Sequence, residues 1–306
     1  MRRPTWSAPS WMQTWRKGSV SDITYTETYE RPIKCHLIPY FGSKMVDDIL
    51  PLDIQRFFNI KSKNYALESL KKMKYPLYSI FQSAIENGFC RRNPVTKTLR
   101  LHSDKPNITK SAWSNKEWET AYAFSQTYPG GEAFLLLLET GISRSELLGL
   151  RKEDIRSEEN AIAVCGGIVG TRSAETGHWE LQRTNCKNIY RQRKVPITNY
   201  LTTRLLDFAN QTSGEYLFPT VNGKPKCPDN WYKRDYKPWL AALLAQFPEI
   251  KPISPHEIRH TRATLWAYQG VDLWTVARLL GHCDLSMLSK RYLHDDLDAM
   301  RSAIGL

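Results

Sequence analysis

"SPHEIRHTRATLWAYQG", residues 254–270, decides how the rest of the chain is read. Its opening is a helix start. Ser254 can cap the backbone, Pro255 takes the first helical position where a missing NH costs nothing, and Glu257 can return a carboxylate to the cap. His256 and Arg259, three residues apart, then share one face in the first turns. The dipole and free NH groups at that end favour a bound phosphate. An imidazole and a guanidinium beside it make an anion site equipped with a proton-transfer group. Read in isolation, the same two residues would also suit an incidental first-turn histidine and a surface charge.

The next stretch adds to the pattern. In "VDLWTVARLLGHCDLSMLSKRYLH", residues 271–294, Asp272 caps a helix, Gly281 stops it, His282 follows at once and Tyr292 stands ten residues further on. A zinc site at His256, His260 and Cys283 has to be considered, because His-x-x-x-His on a helix is ligand spacing. Glu257 even completes an HExxH string, but it reads as the carboxylate of the helix cap with Ser254, and a fourth ligand is missing. We therefore expect no metal, and read His260 as a structural hydrogen-bonding residue.

Upstream, "ETGISRSELLGL", residues 139–150, holds another Ser-x-x-Glu helix start in Ser143 and Glu146, with Arg144 as its first helical residue. Ser114 and Glu117 have the same spacing and open the second domain. "GEAFLLLLETG" between them is an apolar helix. "AIAVCGGIV", "HWELQR" and "RKVPI" are short β-prone pieces separated by turn residues. These readings give a mostly helical domain with a small antiparallel β-sheet, over residues 113–306.

The N-terminal part, residues 1–105, reads as helical throughout. It opens with Trp6, Trp11 and Trp15; Ser21 can cap a helix that "IPYFG" ends; a short helix follows near "LDIQRFF", and a long one runs through "NYALESLKKMKYPLYSIFQSAIENG". Pro76 should kink that helix and Gly88 should stop it. Lys71, Lys72 and Lys74 form a cluster on it, with Arg91 and Arg92 just beyond its end. These suit phosphate contacts, although such a cluster also suits a solvated face. Residues 106–112 are polar, include Pro106, lack periodicity and read as a linker. The fold class is thus mainly α (α+β).

Composition sets the outer limits. At 306 residues the chain is long enough for two domains with cores of their own. Its longest apolar run, "AFLLLL", is far too short to cross a bilayer, and the N-terminus lacks the apolar core of a signal peptide, so no membrane partner and a cytoplasmic place are expected. Six scattered cysteines without a CxxC pair suggest reduced thiols. The net charge of +12 favours a polyanionic partner. That excess is uneven: residues 1–110 hold 19 Lys and Arg against 9 Asp and Glu, the remainder 24 against 22.

"SPHEIRHTRAT" followed by "LLGHCDLSMLSKRY" resembles the C-terminal signature of the tyrosine recombinases, the phage integrase family. The order is a His-x-x-Arg pair, a Leu-Gly-His, and a tyrosine nine or ten residues on. "TG" with an arginine and a glutamate before "LLGL" supports it, as does a lysine in the turn before "RKVPI". More weakly, "HLIPYFG" and "ENGFCRRNP" are similar to the family's helical core-binding domain, which binds DNA.

The resemblance implies a site-specific recombinase or integrase of a mobile element. Tyr292 matches the nucleophile that attacks a scissile phosphate, forming a 3′-phosphotyrosyl bond and freeing a 5′-hydroxyl. Arg259 would hold the non-bridging oxygens, His282 would donate to the same phosphate, and His256 would manage the tyrosine proton. Lys187 matches the lysine that protonates the leaving oxygen; Lys194 lies in the predicted strand and is the lesser candidate. Covalent catalysis by tyrosine conserves the phosphodiester energy, so no cofactor is expected, in line with the lack of a GxxxxGK[ST] loop. The implied partners are double-stranded DNA, other copies in a homotetramer on paired sites, and accessory DNA-bending or excision factors, with the enzyme at the nucleoid.

The chain departs from the family at two places. The family's first arginine follows "TG" and one apolar residue, where this chain has Ser143. We expect the helix to start at Ser143 and Arg144 to reach the phosphate from its first turn. The serine also keeps open a DNA-binding protein of this fold with impaired strand transfer, beside a type IB topoisomerase. The chain also leaves no room for the small arm-binding domain that many integrases carry, which fits either a shorter recombinase or a piece of a longer one. The tail, "LHDDLDAMRSAIGL", can form one amphipathic helix, packed on a neighbouring subunit or on its own domain.

Overall fold

The computed structural model describes residues 25–106, 112–172, 179–185 and 192–281. Two compact units divide the chain, residues 1–109 and 110–306. Ser21, the three N-terminal tryptophans, Lys187, His282, Tyr292 and the tail lie outside the described residues.

In the first unit the described chain begins with wide helical turns at Tyr25–Glu30 and Ile33–Leu37, then a short α-turn, Ile38–Phe41. Helix α1, Pro51–Ser62, opens with proline at its first position while Asp53 accepts the Leu50 NH at 3.0 Å. Helix α2, Leu67–Glu86, buries Leu70, Met73, Leu77, Ile80, Phe81 and Ala84. That three-and-four spacing is the stripe that faces a core. It packs with Phe41, Phe57 and Phe58, all essentially inaccessible. The helix runs uninterrupted through Pro76, where the sequence predicts a kink, and ends at Asn87 before Gly88 at φ +72°.

The second unit is built around one apolar helix. Helices α3, Asn115–Thr127, and α4, Glu132–Thr140, follow one another, and all nine residues of α4 are buried. A helix apolar all round must be enclosed, and this one is the centre of the larger core, with Phe134 stacked on Trp239 at 4.6 Å. Helix α4 ends at Gly141, φ +59°, a conformation that disfavours any side chain. Helix α5, Arg144–Gly149, follows directly.

The β-prone pieces form two sheets rather than one. Strands β1, Ile155–Arg156, β2, Ala161–Val164, and β5, Arg193–Pro196, make an antiparallel sheet in the order β1-β2-β5. Strands β3, Gly166–Arg172, and β4, Trp179–Asn185, form a separate hairpin. "AIAVCGGIV" is therefore not one strand: the chain leaves β2 at Cys165, and the glycines start a new ladder. They also allow close packing, since a Cβ on Gly149 would lie 2.7 Å from the Gly167 Cα.

Helix α6, Asn199–Gln211, is capped by Thr198, itself held by Glu139 at 2.9 and 2.8 Å through its NH and hydroxyl. A helical run then passes through Pro228–Trp231, the wider turns of Tyr232–Tyr236, and Lys237–Gln246. Helices α7, Pro255–Tyr268, and α8, Leu273–Leu280, close the described chain, α8 ending at Gly281 with φ +70°. Architecture and class agree with the reading of a mainly helical chain with a small antiparallel β component. No helix among the described residues is long and apolar enough to cross a membrane.

Candidate active site

The helix starts form as their spacing predicts. At α7, the Ser254 NH donates to Glu257 Oε2 at 2.7 Å and the Glu257 NH to Ser254 Oγ at 3.4 Å. At α5, the Ser143 NH donates to Glu146 Oε2 at 2.8 Å and the Glu146 NH to Ser143 Oγ at 3.3 Å. Ser143 is the cap and Arg144 the first helical residue.

Arg259, one turn into α7, is no surface charge. It is 7% exposed. One terminal nitrogen donates to the Gly141 carbonyl at 3.0 Å, the other to the Leu280 carbonyl, and the guanidinium lies 3.5 Å from Glu146 Oε2. The ends of α4 and α8 thus meet on one side chain, which takes up carbonyls that a helix C-terminus leaves unpaired.

Glu146 has another, closer cationic partner, Arg193 of β5. The two side chains meet as a fork, Nη1 to Oε1 at 2.9 Å and Nη2 to Oε2 at 3.3 Å, while Arg193 Nε donates to the Leu279 carbonyl at 2.6 Å. Burial alone would raise the Glu146 carboxyl, but the Arg193 guanidinium, the Arg259 charge and the Ser143 NH outweigh it and hold it at about 2. It is therefore a carboxylate at any working pH. Among the described residues, the cluster gathers two guanidiniums and one carboxylate in the interior, a setting that suits an anionic group.

The sequence reading missed Arg193, although a signal for it existed. Strand alternation in "RKVP" puts Arg193 on the same face as Val195, which is fully buried, while Lys194 points out to Glu159 at 2.6 Å. A charge on the inward face must find a partner.

His256 is exposed on the first turn of α7. Its Nε2 lies 3.0 Å from Nε2 of His260, the rings edge to face at 4.3 Å between centroids. A hydrogen bond between two imidazole nitrogens needs one to donate and the other to accept, so the roles of the pair depend on the tautomer. Arg144 takes another direction: Nη2 reaches Asp229 Oδ1 at 3.3 Å, and the guanidinium stands 5.9 Å over the Tyr232 ring. The described residues thus bring Arg259, Arg193 and Glu146 into one buried cluster and pair His256 with His260. Of the basic residues in the first unit, Lys71, Lys72, Arg91 and Arg92 are exposed and Lys74 half-buried; Lys71 is tied to Glu68 at 2.7 Å.

With this geometry in view, the comparisons with known proteins give a consistent answer. The sequence pattern of the Phage integrase family matches residues 114–298, and that of the phage integrase N-terminal SAM-like domain matches residues 10–62. The chain belongs to the phage integrase family. It is 25% identical over 279 residues to the transposase of transposon Tn916 from Enterococcus faecalis, an alignment covering 84% of this chain. It spans 66% of that transposase's length. A XerC-like tyrosine recombinase of Caldanaerobacter subterraneus is 27% identical, with 83% of this chain and 69% of the relative covered.

Among solved structures, the Tn1549 transposon integrase in complex with a circular intermediate DNA superposes with a TM-score of 0.82 at 22% identity, covering 98% of this chain and 99% of that one. A lambda integrase dimer bound to a core site gives 0.66 at 20% identity, covering 94% and 95%. These likenesses establish the fold.

Proposed function

We propose that this chain is a site-specific integrase that cuts and rejoins duplex DNA through Tyr292, moving an element into or out of a larger DNA. The observation that carries the reading is the buried cluster at the start of α7, where Arg259 and Arg193 meet on Glu146 close to a helix N-terminus. Family membership supports it, as do the likenesses to a transposon transposase and to integrases solved with DNA.

In the proposed reaction the Tyr292 hydroxyl oxygen attacks phosphorus and the bond to the 5′-oxygen breaks. His256 takes the tyrosine proton, and Lys187 gives one to the leaving oxygen. Negative charge grows on the non-bridging oxygens, where Arg259 and His282 supply donors and Arg144 joins them by turning away from Asp229. A 5′-hydroxyl from the second strand reverses the steps, so the phosphodiester energy is kept and neither ATP nor a metal is consumed. Lys71, Lys72, Lys74, Arg91 and Arg92 contact the duplex backbone from the first domain, joined to the second through residues 106–112. Paired sites call for a tetramer, as in the lambda integrase tetramer solved on a Holliday junction, and an enzyme acting on them would work at the nucleoid.

The test is a nicked duplex built from DNA flanking the gene. The parent chain should leave a covalent protein–DNA product and Tyr292→Phe none; a parent without product overturns the activity and favours a binding protein. Recombination of a plasmid carrying two sites, without relaxation of a plasmid lacking them, separates it from a topoisomerase. Arg144→Ala should slow cleavage by roughly 100-fold, the cost of one donor to the developing charge. An unchanged rate would remove Arg144 from the site.

A further inference from the structure

We propose that Arg193 is a positioning residue for Arg259, acting through the carboxylate they share on Glu146; this rests on the cleavage reaction proposed above. Two guanidiniums compete for one carboxylate. Arg193 takes both Glu146 oxygens, at 2.9 and 3.3 Å, and Arg259 stands at 3.5 Å from one of them. A fork of two parallel bonds is the stronger geometry. Without Arg193, the same carboxylate would draw Arg259 towards itself and away from the carbonyls of Gly141 and Leu280. With it, Glu146 is neutralised from β5, and Arg259 stays across the ends of α4 and α8.

A second geometric feature points the same way. Arg193 Nε holds the carbonyl of Leu279 at 2.6 Å and Arg259 that of Leu280. Two arginines from different elements thus grip consecutive carbonyls at the end of α8, next to Gly281. Both arginine side chains and the glutamate are less than one-tenth exposed, so the grip is built into the interior. Ser143 brings no charge to this cluster, and the chain supplies its second buried guanidinium from a strand instead.

Lysine at 193 keeps the charge and loses the fork, which makes Arg193→Lys the deciding variant. It should melt cooperatively and bind the nicked duplex within about 2-fold of the parent. At saturating DNA its single-turnover cleavage should fall by about 10-fold or more, because small displacements of an aimed group cost that much. In an Arg259→Ala background the same substitution should change the rate by less than about 2-fold, since its effect passes through Arg259. Equal slowing in both backgrounds would overturn the inference, as would parental cleavage by Arg193→Lys. Should that variant fail to fold, Arg193→Gln, which leaves the Glu146 carboxylate in place, is used in the same two-background comparison, with the same outcomes deciding. A parent chain that makes no covalent product overturns the proposed activity and this inference with it; a parent that cleaves beside an equally fast variant overturns the inference alone.

Discussion

Two helices of the second unit begin with the same four-residue device, Ser143 to Glu146 and Ser254 to Glu257, and their arginines end up in opposite settings. Arg259 is 7% exposed and fixed by two carbonyls and a carboxylate. Arg144 keeps a third of its side chain in solvent and meets a carboxylate that is 79% exposed. The local cap is the same in both. What differs is the distance from the cap and the neighbourhood there: Arg259 stands a full turn beyond Ser254, where the ends of α4 and α8 present carbonyls, while Arg144 follows Ser143 directly and points towards Asp229 and Tyr232. A capping motif fixes where a helix starts, while its surroundings decide what its first turn can hold.

The sharpest way to break this contrast is to remove the carboxylate on which the buried side depends. Glu146→Ala leaves two guanidiniums in the interior without it, and should cost about 3–5 kcal/mol in a urea titration. A loss below 1 kcal/mol would mean that the cluster is wetter than its burial indicates. Acid probes the same group. The Glu146 carboxyl is held at about 2 against an ordinary 4.5, so the stability it contributes is complete above 4.5 and lost as pH falls towards 2. Glu146→Gln should flatten that part of the pH–stability curve, and an unchanged curve would place the acid sensitivity elsewhere.

The two caps provide a smaller and more even test. Ser143→Ala and Ser254→Ala should each cost about 1 kcal/mol, because each removes one acceptor for a helix NH. A markedly larger loss at Ser143 would show that its hydroxyl, by fixing the start of α5, also holds Glu146 in the buried cluster. The exposed side should respond least. Asp229→Ala ought to change stability by less than about 0.5 kcal/mol, as solvent-exposed ion pairs do. A larger loss would count Arg144 among the structural arginines.

Much of this was legible along the chain. The Ser-x-x-Glu starts at 114, 143 and 254, the stop at Gly281, the apolar α4 and the stripe of α2 all follow from short-range patterns, and each forms in the structure. The separation of "AIAVCGGIV" into two strands was not legible, because a run of small and β-branched residues carries no mark of which ladder each half will join. Pro76 does not end its helix: a proline in a long helix is accommodated when the stripe on either side, Met73 and Leu77 among it, is buried in a core.

By itself, the sequence determined the helix starts and stops, the class, and the family to which the signature near the C-terminus points, because those depend on residues within a few positions of one another. Only the tertiary structure decided that Glu146 would serve a cap and two arginines at once, that Arg193 would come to it from 47 positions away, and that Arg259 would be buried while Arg144 was not. The reason is physical. A buried charge is tolerated only where distant elements bring it a partner of opposite sign and fitting geometry, and no local pattern in the sequence records which elements those will be.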